Sequence, residues 1–226
     1  MSPERFAGWV AGFADQHGGP LAVETAPDVV LLRAGDGVSA ACYPPFPPMP
    51  PTAPGEDPPP GTARAVVRQA HRIAAHAAAD RTVAVLLVRL GGYAAGVFTG
   101  APPVLADSKV GSRLVHGRSA AGGRSQHRFA RRREKQATEA LAAAADTAVR
   151  VFGRYPGKLD AVVLGGDRRA MAGLREDPRL RPYFAAAVDR FLTVPDPRLV
   201  VLKDTPRLFR AIRVQLADPG GPSGSA

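Results

Sequence analysis

The order of patterns along this chain predicts an α+β fold of the α/β-like kind, a mixed β-sheet flanked by helices. Three observations carry that expectation. Apolar runs of strand length, such as "TVAVLLVRL" and "DAVVLGG", recur through the chain. Stripes at helical spacing lie between and around them, and Gly/Pro clusters punctuate the joins. At 226 residues the chain suffices for one domain, or one domain with a small appendage, with a sizeable core.

Each element follows from its local pattern. Residues 3–17 place Phe6, Trp9, Val10 and Phe13 on one helical face and stop at Gly18-Gly19. Short apolar runs on either side of Gly35-Asp36-Gly37 predict a hairpin. Residues 1–43 therefore form a helix-plus-hairpin layer. Residues 44–61, "PPFPPMPPTAPGEDPPPG", are too proline-rich for helix or internal strand and read as a linker. Thr62 caps a helix whose apolar face is Val66, Ala70, Ile73, Ala74 and Ala77. His71 and His76, five residues apart, share no helical face and form no metal pair.

A β-meander of three or four strands follows from residue 81, turning at Gly91-Gly92 and at Gly100 to Pro103. A helix of about 40 Å is expected from Gln126 to Phe152, with Ala130, Ala137, Leu141, Ala144, Ala148 and Phe152 as its stripe. Next come a buried strand, a turn at Gly165-Gly166 and a helix capped by Asp167. Late strands with a helical piece between them complete a main domain over residues 62–216, and 217–226 reads as a disordered tail.

Composition narrows the function classes. Lys+Arg number 30 against 20 Asp+Glu, a formal net charge of +10. Only four of the cations are lysine, so the charge is carried by guanidinium groups that pair bidentately with phosphate. Between Gly111 and Lys135 there are eight Arg/Lys and one acid, Glu134, and the rest of the chain is close to neutral. That localisation points to an anionic partner, nucleic acid ahead of a membrane surface. The single Cys42 excludes an intramolecular disulfide and any multi-cysteine zinc site, and fits a reducing cytosol. Neither a membrane-length apolar run nor a secretory signal pattern occurs, so a soluble, cytoplasmic protein is expected.

The chain has no Walker-type phosphate loop, H-E-x-x-H, C-x-x-C or G-x-S-x-G motif. Nucleotide hydrolysis, zinc proteolysis and serine-hydrolase chemistry are therefore not expected, nor is a metal site or cofactor. What stands out is "VHGRSAAGGRSQHRFARRREKQA", residues 115–137. Gly117, Gly122 and Gly123, with small residues around them, make a thin, bendable loop. Positions 128, 131, 132 and 135 then fall on one helical face, a stripe suited to a phosphodiester track. By residue type alone, the segment reads equally as an arginine-rich surface helix after a disordered loop, binding RNA nonspecifically or binding nothing.

The same stretch, "HGRSAAGGRSQHRFARRREKQA", resembles the signature of the Vms-like release factors, particularly their actinobacterial branch. That family is similar in turn to the GGQ-bearing catalytic domain of eukaryotic-type peptide chain release factors. The preceding "VAVLLVRLGGYAAGVF" and following "KLDAVVLGGD" stand in the expected order, so the resemblance covers roughly residues 64–205.

The resemblance implies a release-factor catalytic fold and a catalytic group of Gln126, Gly122, Gly123 and Ser125. It assigns RNA contact to Arg118, Arg124, Arg128, Arg131, Arg132, Arg133 and Lys135. The chain departs from the release-factor pattern in placing Arg124-Ser125 between Gly-Gly and Gln. The implied activity is codon-independent hydrolysis of peptidyl-tRNA on stalled or split large ribosomal subunits. Its partners are peptidyl-tRNA and large-subunit ribosomal RNA, not DNA or a membrane, and no cofactor is implied. Cleavage near the tRNA 3′ end, or noncatalytic ribosome or RNA binding, are the alternative readings.

Overall fold

The computed structural model describes residues 1–19, 21–51, 62–89, 91–112 and 125–218, with 125–133 as helical backbone. In chain order the elements are α1 (Pro3–Gln16), β1 (Ala22–Thr25), β2 (Val30–Arg33), β3 (Ser39–Tyr43), α2 (Ala63–Ala78), β4 (Val83–Arg89), β5 (Gly92–Thr99) and β6 (Val104–Ser112). After them come α3 (Ser125–Phe152), β7 (Ala161–Gly166), α4 (Arg168–Leu174), α5 (Arg181–Ala185), β8 (Ala187–Leu192), α6 (Leu199–Phe209) and β9 (Arg213–Ala217), with a short 3-10 turn at Pro178–Leu180. The expected α+β class with a mixed sheet is what forms.

Two compact units divide the chain, Met1–Ala79 with Arg210–Ala226, and Asp80–Phe209. In the first, an antiparallel sheet in the order β1-β2-β3-β9 is joined by α1 and α2. Phe6, Val10 and Phe13 of α1 and Val66, Ala70, Ile73 and Ala77 of α2 enter one apolar cluster with Val30, Leu32 and Cys42. Trp9 stacks between Phe6 and Phe13, with ring centroids 6.0 and 5.4 Å away. The Thr62 hydroxyl accepts from Ala65 N–H at 3.2 Å and caps α2. Burial pushes the Cys42 thiol up to about 12, which makes it an inert core residue.

Two boundaries differ from the sequence expectation. The helix α2 and the strand β9, assigned from sequence to a 62–216 domain, lie in the first unit, because α2 shares its apolar stripe with α1 and β9 pairs with β3. Residues 44–51 of the expected linker are seated on this unit. Met49 is buried and its N–H donates to the Pro27 carbonyl at 2.6 Å, while Arg72 donates to the Pro50 carbonyl at 2.9 Å. Residues 52–61 lie outside the described residues, as does the tail from 219.

The second unit is built on a five-stranded sheet in the order β6-β5-β4-β7-β8. Strands β6, β5 and β4 form the antiparallel meander, and β7 and β8 are added in parallel. Val83–Val88 and Ala161–Leu164 are buried throughout, the continuous apolar reading of strands covered on both faces. On one face Ala84, Leu86, Val88, Ala95 and Val97 meet Ala144, Ala145, Ala148, Val151 and Phe152 of α3. Toward the other, Phe209 of α6 meets Phe98 edge-on, with centroids 5.7 Å apart.

Candidate nucleic-acid interface

The charged segment is rooted at one end of the second unit's sheet. Register pairs Ser112, the last residue of β6, with Gly92 of β5, and Gly92 with Arg89 of β4. Val88 pairs in turn with Gly166 at the end of β7. The same end of the sheet therefore carries the ends of β6, β4 and β7, with the start of β5 between the first two. At the root, Tyr93 lies over Gly111, so that a Cβ on residue 111 would stand 2.3 Å from its ring. A side chain there would push the Tyr93 ring aside.

Residues 113–124, which hold the expected site residues Arg118, Gly122, Gly123 and Arg124, lie outside the described residues. Ser125 and Gln126 open α3, and Arg128, Arg131, Arg132 and Arg133 occupy its first three turns. By helical spacing positions 128, 131, 132 and 135 fall on one side of it. The first four N–H groups of a helix have no intrahelical partner and mark its positive end, which here is the Gln126 end. Lys135 is exposed.

The far end of α3 supplies the anchor. None of residues 134–140 is buried, whereas Ala144, Ala145, Ala148, Val151 and Phe152 all are. Asp146 accepts from Arg179 at 2.8 Å, and Arg154, just past the helix, donates to Asp107 of β6 at 2.8 Å. Arg179 also grips Asp177 at 2.6 Å, and that hydrogen bond holds the Asp177 carboxyl below the usual range. These pairs tie the helix to its neighbours without neutralising its basic turns.

Charge separates the two units. Asp80–Phe209 contains twenty-three Arg/Lys against twelve Asp/Glu, while the other unit holds seven against eight. The excess positive charge of the chain thus sits in the unit that carries α3. Among the described residues no three His, Cys, Asp or Glu side chains gather where a metal ion could be held. His76 instead meets the Phe46 carbonyl at 3.0 Å. Among the described residues no helix is long and apolar enough to cross a membrane.

Sequence reading passed over the arginines of α4. The β7–α4 turn forms as expected: Gly166 has φ +102°, a Cβ there would stand 2.1 Å from the Val88 carbonyl oxygen, and Asp167 accepts from Ala170 N–H at 2.8 Å. Its product, a helix opening on Arg168-Arg169 at the same end of the sheet as the root of the Gly-rich segment, required the register to be seen. The i, i+7 spacing of Arg168 and Arg175 was the available signal.

A mixed sheet that anchors a long helix with an arginine-rich opening belongs here to a protein of the release-factor class, because residues 81–215 match a family of that class. The chain belongs to the Actinobacteria/chloroflexi VLRF1 release factor family. That membership gives it a role in translation termination or ribosome rescue, with the ribosome as its partner.

Among solved structures, the "Vms1 mitochondrial localization core" is similar with a TM-score of 0.38 at 9% identity, covering 93% of this chain and 81% of that one. An archaeal translation termination factor, aRF1, is similar with a TM-score of 0.37 at 13% identity, and the match covers 79% of this chain. The chain spans 51% of that factor's length. No curated relative matches.

Proposed function

We propose that the protein is a codon-independent peptidyl-tRNA hydrolase of the cytoplasm, acting on stalled or split large ribosomal subunits. The observation that carries this reading is the family match over residues 81–215, which includes the Gly122-Gly123 pair, Gln126 and the arginine-rich start of α3. In this reading Arg118, Arg124, Arg128, Arg131, Arg132, Arg133 and Lys135 grip the RNA backbone, and Gly122 and Gly123 let the chain approach the peptidyl ester.

Gln126, with Ser125 beside it, orients a water at the ester carbonyl. Water oxygen bonds to the carbonyl carbon, the bond to the ribose oxygen breaks, and that oxygen leaves with a proton. A carboxamide is no useful base, so its contribution is positioning and a fixed dipole aimed at developing charge. The ester is already reactive and ribosomal groups surround it, which suits a site with no triad.

The test is to incubate wild type and Gln126→Ala with large subunits carrying labelled peptidyl-tRNA and to resolve both the peptide and the tRNA 3′ end. Glutamine-dependent release with an intact 3′ end is expected. A shortened tRNA would make the protein a nuclease, and full release by Gln126→Ala would remove the glutamine from the mechanism. A requirement for a stop codon in the decoding site would overturn codon independence.

A further inference from the structure

Beside α3, the second unit displays a set of arginines that the proposed hydrolase mechanism leaves unused. The Arg168 guanidinium lies 4.5 Å from the centroid of Phe191, and that of Arg175 lies 4.6 Å from the centroid of Phe184. Both rings are half-buried and packed against the core that holds α3, while both arginines are exposed. Arg169 is exposed beside them. Among the described residues no carboxylate pairs with these three, and the neighbouring acids are engaged elsewhere. Asp167 caps α4, and Asp177 is held by Arg179. Glu176 is the remaining acid between Asp167 and Arg181.

A guanidinium seated on a ring has one face covered and its fork of N–H donors and outer face presented to solvent. The ring limits the conformations such a side chain loses on binding, which favours contact with phosphate or an unstacked base. The two seats stand at the two ends of α4: Arg168 opens the helix and Arg175 caps its last turn.

Position ties this patch to the basic start of α3. A Cβ on Gly173 would come 2.8 Å from Leu141 Cδ1, and α3 and α4 each join strands that run the same way, β6 to β7 and β7 to β8, so both helices set out from the same end of the sheet. Arg168 and Arg169, which open α4, therefore lie at the end of the sheet where α3 also opens.

We infer that Arg168, Arg169 and Arg175 form a second RNA-contact surface, taking phosphodiester backbone beside the strand gripped by α3. The inference rests on the proposed role at the ribosome but is independent of any hydrolysis. A site for an acidic protein segment would use the same charge. Ring-backed guanidiniums at the end of the sheet where an arginine-rich helix opens, in a protein whose partner is the ribosome, favour RNA.

The full chain and two variants, Arg169→Gln and Arg168→Gln/Arg169→Gln/Arg175→Gln, would be titrated with three probes across a salt series. These are vacant large subunits, protein-free large-subunit RNA and deacylated tRNA. The slope of log affinity against log salt should fall by about 0.7–0.9 for each phosphate that is no longer neutralised, so by about 2 or more for the triple variant. Arg169 makes no ring contact, so Arg169→Gln removes charge without packing and should shift the slope by about one such step even if the triple variant folds poorly.

A reduced slope with either naked RNA supports the inference, and the RNA that shows it identifies the source of the backbone. A reduction only with intact subunits assigns the surface to an acidic ribosomal protein and overturns it, as does no change with any probe. Release of peptide by the wild type, measured alongside, tests the hydrolase reading separately. Its absence leaves the salt slopes interpretable.

Discussion

The two ends of α3 are opposites. From Ala144 to Phe152 the helix turns three alanines, Val151 and Phe152 into the sheet, where small side chains let helix and strands approach closely. From Gln126 to Lys135 the helix is crowded with cations, and none of the side chains from 134 to 140 is buried. One end is held by packing and the other carries the charge. Like charges crowded on one helix repel, and a short isolated helix is marginal in water. The buried end offsets both effects by extending an already nucleated helix toward the arginines.

That contrast makes separable predictions. The largest effect should come from the anchored end: Phe152→Ala deletes a ring that is 1% exposed and is expected to cost about 3–5 kcal/mol in denaturant melts. Release should fall with it only as far as the folded fraction falls. At the charged end the order reverses. Gln126→Ala should cost about 3 kcal/mol of transition-state stabilisation, roughly a hundredfold in single-turnover release, with the melting midpoint and subunit affinity unchanged. A large melting shift in Gln126→Ala would show that the two ends are not independent.

A smaller effect is expected from Arg131→Gln/Arg132→Gln. Its log–log salt slope should drop by about 1.4–1.8 while stability holds, read by binding titrations from low to physiological salt. The smallest should come from Asp177→Asn, which loosens the Arg179 grip at under about 1 kcal/mol, because the pair is exposed to solvent. The folded Asp177 carboxyl lies below its ordinary 3.8, so its contribution is present above that value and is lost as pH falls through the folded one. Wild type and Asp177→Asn melts should therefore converge below about pH 3.8.

The sequence alone determined the elements whose causes are local. The stripe through Leu141, Ala144, Ala148 and Phe152 announced α3, Thr62 and Asp167 announced their caps, and Gly165-Gly166 announced a turn that only glycine allows. Hydrogen bonds and side-chain faces within a few residues leave a periodic trace in composition, and so did the clustering of arginine after Gly122-Gly123. The tertiary structure alone decided which partners those elements take.

Nothing local tells α2 to share a core with α1, β9 to pair with β3 some 170 residues away, or Met49 to dock beside Pro27. Likewise Arg168 and Phe191 are strangers in sequence, brought together because β7 and β8 pair in parallel. Such contacts are selected by the total apolar area and backbone pairing that the whole chain can satisfy at once, and no single window of sequence records that choice.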